Sequence, residues 1–228
     1  DMVLRGVDFS SLDGLVPDAF DKYWQLTLNF LKIAREAWPA HLEEIKRIEP
    51  AARHDLLIAA ETDRLKAHQD GPVIAAGSTG SMPTTARFLH AIANLPQGAV
   101  VLPGLDTDLD DDAWQLIGGS TDDQGKTTSS SSNHPQFALH ALLTRFRIRR
   151  SDVQLLGIPA PEGRETLVSE AMRPSNATAQ WYRRLAEPEV AEKISAGMKK
   201  VAVIAAANPE MEALAIAVAM RESHELGR

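Results

Sequence analysis

The stretch Val73-Ile-Ala-Ala-Gly-Ser-Thr-Gly-Ser-Met-Pro-Thr-Thr-Ala-Arg-Phe-Leu89 limits the possible folds of this chain more than any other. Val73 to Ala76 are four small apolar residues after Gly71-Pro72, too few for a helix and bounded like a buried strand. Gly77-Ser78-Thr79-Gly80-Ser81 then predicts a turn of small hydroxyl residues. Pro83 suits the first turn of a helix, with Ser81 as the expected N-cap. Ala86, Phe88, Leu89, Ile92 and Ala93 supply that helix with an apolar face. Strand, Gly/Ser turn and helix together aim backbone N–H groups at an anion or a polymer backbone. The same arrangement is also the ordinary connection in α/β proteins.

A second short apolar run, Ala99-Val-Val-Leu102, is closed by Pro103-Gly104. Two strand-like runs flanking one helix predict a βαβ unit and hence a parallel sheet. Val201-Ala-Val-Ile-Ala-Ala-Ala207 carries the strongest strand signal, and Asn208-Pro209 then opens a helix with Met211, Leu214, Ala215 and Val218 on one face. Elsewhere the periodicity is helical. Asp18 to Trp38 has apolar residues at Phe20, Trp24, Leu28, Leu31 and Ala34, with Pro39 expected to end it; His41–Ile48 and Ala51–His68 continue the pattern. The expected class is α/β, a parallel sheet of few strands built from βα units with a large helical share. Its segments read as a helical region over 1–70, a βαβ unit over 71–118, a linker over 119–133, a second helical region over 134–198 and a βα unit over 199–228.

Composition removes several function classes. The chain has 228 residues, no cysteine and a formal charge of −7. Zinc–thiolate sites, iron–sulfur clusters and thiol catalysis are thereby excluded from it, and a broadly basic nucleic-acid surface is disfavoured. No apolar run has the length of a membrane span and no signal peptide is visible, so no membrane role and a cytoplasmic location are expected. The chain starts at Asp1 and stops in a charged helical pattern, which reads as a piece of something longer.

Several clusters carry a functional and a plain reading side by side. Asp106, Asp108, Asp110, Asp111 and Asp112 follow the second strand, where metal or nucleotide chemistry often sits, or they cap the helix of Trp114-Gln-Leu-Ile117. Gly125-Lys126-Thr127 lacks the glycine five positions earlier that a phosphate loop requires, and Asp122 and Asp123 would repel phosphate, so ATP binding there is rejected. After His134-Pro135 comes a helix with Phe137, Leu139, Leu142, Leu143 and Phe146 apolar; its end holds Arg145, Arg147, Arg149 and Arg150, the densest positive cluster. That cluster either complements the helix dipole or touches a phosphate backbone. Trp24, Phe30 and Trp38 are expected to pack in a core rather than stack on bases, and His54 and His68 to lie on the surface.

Val73 to Arg87, continued by Gly98-Ala-Val-Val-Leu-Pro-Gly-Leu-Asp106, resembles the AddB family, the subunit of the bacterial AddAB helicase–nuclease of double-strand break repair. His134-Pro-Gln-Phe137, Ser169-Glu-Ala-Met-Arg-Pro174 and Ala206-Ala-Asn-Pro-Glu-Met-Glu-Ala-Leu-Ala-Ile-Ala217 extend the likeness in the same order, in the form found in alphaproteobacteria. The resemblance implies a helicase-core-like, P-loop-type fragment of superfamily 1 that has lost its motor chemistry. Val73 to Thr84 would stand at helicase motif III without its acid and glutamine, and Leu167 to Pro174 at motif IV. Arg173 matches the arginine that reaches nucleotide in a working motor, and Glu212 the acid of the next motif, so both mark a vestigial nucleotide site. The resemblance further implies a partner, the AddA helicase–nuclease subunit, and single-stranded DNA passing through the whole complex. Gly77, Ser78, Thr79, Gly80, Ser81 and Arg87 are the candidate DNA contacts, with no catalytic residue, metal or cofactor in this piece. The competing enzyme reading is nucleotide-dependent phosphoryl transfer at the Gly77–Ser81 turn and the Asp106–Asp112 cluster; a third is a helical interaction module without a ligand site.

Overall fold

The computed structural model describes residues 26–27, 30–31, 33–68, 71–121, 127–158, 160–199 and 201–227. It divides into two compact units, Asp1–Gly157 with Pro174–Asn176, and Ile158–Arg173 with Ala177–Arg228. The described residues are mostly helical, with one small parallel sheet.

In the first unit a π-helical turn, Ile33–Ala37, leads into α1 (Trp38–Glu44), and α2 follows (Pro50–Ala67). Pro39 therefore opens α1 instead of ending the preceding helix; in a first turn its missing N–H has no intrahelical acceptor to lose. Phe30 and Trp38 are exposed rather than packed in a core, which corrects the expectation from their spacing. The Trp38 indole instead donates to Glu49 and its ring lies against His41 at 5.9 Å. Phe20, Trp24 and Leu28 lie outside the described residues.

The βαβ unit forms where expected. β1 (Val73–Ala76) pairs in parallel with β2 (Gly98–Val101), in register Val73 to Gly98 through Ala76 to Val101, and α3 (Pro83–Ala93) joins them. Ala86, Leu89 and Leu142 form a buried cluster against which Ala75, Val100, Leu102 and Phe146 pack. Burial of each large apolar side chain contributes roughly 1.5–3 kcal/mol. Among the described residues the core cluster covers one face of the sheet. Ile74 is 66% exposed on the other, so β1 is half-buried where its apolar run predicts a fully buried strand.

α4 (Asp111–Gly118) and α5 (Phe137–Phe146) pack together with Trp114 against His140, and Ala113, Ile117, Leu139 and Leu143 on them are buried. Within the expected linker, β3 (Ser120–Thr121) pairs antiparallel with β4 (Thr127–Thr128), and the Ser131 N–H donates to Ile117 O at 2.9 Å. Gly125 and Lys126 lie outside the described residues.

The second unit holds α6 (Arg164–Ala171), α7 (Trp181–Leu185), α8 (Pro188–Met198) and α9 (Pro209–Glu225). α6 meets α8 backbone to backbone. A Cβ added at Gly163, whose φ is +76, would lie 1.8 Å from Lys193 O. Val201 to Ala207 is not a strand: among the described residues it joins no sheet, and Val203 is 90% exposed. The helix expected after it does form, with Asn208 as N-cap accepting the Met211 N–H. β-propensity expresses fit to a neighbouring strand, and among the described residues no strand pairs with this run.

Candidate functional site

The bend after β1 keeps the ladder for one step and then leaves it. The Gly77 N–H donates to Val101 O at 3.1 Å, with Gly77 at φ +80. Ser78 Oγ turns back to accept the Gly80 N–H at 3.2 Å, and Gly80 itself is buried at φ +61. Space at Gly80 is closed, since a Cβ there would sit 2.6 Å from Leu142 Cδ1. Among the described residues the backbone N–H groups of Ser78, Thr79 and Ser81 meet no acceptor. Ser81 is exposed and does not cap α3. The N-cap is Met82, without a side-chain bond, because Pro83 at the first helical position shifts the cap one residue later than expected.

Arg87 lies exposed on α3, one turn past this bend, and its Nη2 donates to Thr84 Oγ1 at 3.2 Å. It lines a groove of about 690 Å³ with residues of α2. The groove also takes Lys66 and Arg145. Sequence reasoning passed over Lys66, although Ile58, Thr62 and Lys66 recur at helical spacing on one face of α2.

The aspartates serve the backbone. Asp106 Oδ1 accepts the N–H groups of Asp108 and Leu109, both at 2.9 Å, closing an Asx-type turn. Asp110 is the N-cap of α4, accepting from Ala113 N at 3.0 Å. Asp111 pairs with Arg150 at 2.8 Å. Gln136, of the His134-Pro-Gln-Phe137 motif, ties this loop down by accepting from Asp106 N and donating to Gly104 O. Among the described residues no group of three or more His, Asp or Glu could hold a metal.

The four arginines after α5 separate. Only Arg145 reaches the groove. Arg147 ends α5 in the left-handed region at φ 57. Arg149 and Asp152 bind each other at 2.8 Å; this pairing lowers the Asp152 carboxyl below its ordinary pKa and raises the guanidinium's. Arg150 lies 4.9 Å over the Trp114 ring while donating to Asp106 O. His140 also packs against Trp114, at 5.2 Å, and burial holds its pKa below the ordinary value.

In the second unit Arg173 is fully enclosed. Its guanidinium donates to Ala177 O at 3.1 Å, Glu170 Oε2 at 3.2 Å and Gln180 Oε1 at 3.0 Å. Arg184 binds the same Glu170 at 3.1 Å, so one buried carboxylate serves two arginines. Glu212 lies exposed in the first turn of α9, and no bond joins it to Arg173. The pair that the resemblance puts at one nucleotide is thus not brought together among these contacts.

Neither a protein-family model, a curated protein nor a solved structure matches this chain. Among the described residues no helix is long and apolar enough to cross a membrane.

Proposed function

We propose that this chain is a catalytically inactive, helicase-like scaffold of an AddB-type subunit, lining a path for single-stranded DNA in a complex with an AddA-type motor. The observation that carries the reading is the Gly77–Ser81 bend, which offers small hydroxyls and three backbone N–H groups that meet no acceptor among the described residues, in a sequence with neither acid nor glutamine. Such donors hold phosphates without bulk and without reading bases. Arg87 follows on the next helix as an exposed cation for the same strand. The enzyme alternative needs free carboxylates facing this bend, and three of the five in the cluster, Asp106, Asp110 and Asp111, are committed to a turn, a cap and an ion pair.

The test is photo-cross-linking in the assembled complex. A benzophenone side chain in place of Ser81 should capture single-stranded DNA in the presence of the motor subunit. Assembly without any DNA adduct, or tight Mg²⁺–ATP binding by this chain alone, would overturn the proposal.

A further inference from the structure

We infer that the groove between α2 and α3 is a second site, which binds a phosphate group carried on an organic frame. Its cations come from three different helices: Lys66 from α2, Arg87 from α3 and Arg145 from α5. Exposed lysines and arginines on helices are ordinarily a solvated face, and most prove nothing. These three differ in two respects. They converge on one concavity, in a chain whose formal charge is −7. Among the described residues, no carboxylate lies within 4.0 Å of any of them. Arg64, Arg149 and Arg150, by contrast, are each neutralised by an acid at 2.7–2.8 Å.

The two guanidinium groups are also held in place. Arg87 donates to Thr84 Oγ1 at 3.2 Å and Arg145 Nη1 reaches Pro83 O at 3.5 Å, which leaves their remaining N–H donors for a ligand. Among the described residues of the lining Asp63 is the single acid, so three cations outweigh one anion. Ile58, Ala91, Leu95 and Pro96 form an apolar wall beside the charges. Paired cations next to an apolar wall suit a phosphate attached to a sugar or base, and about 690 Å³ lies in the range of small-ligand sites. A phosphodiester of a nucleic-acid strand and the phosphate of a free nucleotide share this chemistry. Only Arg87 is common to this groove and the Gly77–Ser81 bend, so the two sites stand or fall separately.

The experiment follows backbone amide shifts of the full chain on titration with thymidine 5′-monophosphate, with unphosphorylated thymidine and with an oligothymidylate. Thymidine monophosphate is expected to move amides of residues 58–66 and 87–95, and the double substitution Lys66→Gln with Arg145→Gln should weaken its binding about tenfold or more. Should that variant not fold, Lys66→Gln alone, at an exposed position, gives the same comparison. An oligothymidylate that moves the same amides assigns the groove to a strand. A response to the monophosphate alone upholds the groove as a small-ligand site. Equal shifts with thymidine, or none with any of the three, would overturn the inference, even where DNA cross-links at Ser81.

Discussion

Two stretches of this molecule carry nearly the same pattern and meet different ends. Val73 to Ala93 and Val201 to Glu225 are each a short run of small apolar residues, a break at Gly-Ser or Asn-Pro, and a helix with proline in its first turn. The first run finds β2, and its helix buries Ala86, Leu89 and Ile92. The second joins no sheet among the described residues, and its helix leaves Met211, Leu214 and Val218 exposed. The difference teaches that a strand signal is conditional. It states that a segment would pair, and an available edge decides whether it does.

Steric tests of each unit's packing give the largest expected effects. A Cβ at Gly98 would lie 1.8 Å from Ile92 O, and one at Gly163 would lie 1.8 Å from Lys193 O at a positive φ. Gly98→Ala should cost the first unit about 3 kcal/mol or more in chemical denaturation, and Gly163→Ala should do the same to the second. Losses below about 1 kcal/mol would mean that these close approaches are relaxed in solution.

The unpaired run supplies the next test. Ile204→Ser should change stability by no more than about 0.5 kcal/mol, and amides 202–206 should exchange with solvent at once while those of Ala75 and Gly77 are protected. Protection across 202–206, or a cost well above 1 kcal/mol, would reveal a partner strand and erase the contrast.

Acidification gives the smallest effect. Burial depresses the His140 pKa below its ordinary 6.5, so the unfolded chain takes up this proton first. Its contribution to stability is present above the unfolded value and falls as pH drops from 6.5 toward the lower folded value. Thermal unfolding between pH 7 and pH 5 should therefore steepen for the wild type relative to His140→Gln. An identical slope in both proteins would remove His140 from the account.

Legibility in the sequence follows from how local each determinant is. The strand and helix boundaries around Gly77 were readable because turn chemistry and apolar period act within a few residues, and even there the cap moved from Ser81 to Met82. Arg145 to Arg150 read as one positive cluster, yet α5 ends among them and sends them to different partners. The groove was invisible because Lys66 and Arg145 lie far apart in the chain and meet only through helix packing. Trp38 looked like core by type, but α1 buries none of its residues. Long-range contact decided the groove and the Arg150–Asp111 pair, and a single chain does not write it down locally.

Gly80 has one further consequence, for variation. Packed against Leu142 at a positive φ, it takes any side chain only under strain, and Gly77 shares the backbone restriction. Ser78, Thr79 and Ser81 carry no such restriction, so evolution or a randomised library changes what this bend accepts most cheaply in those three letters.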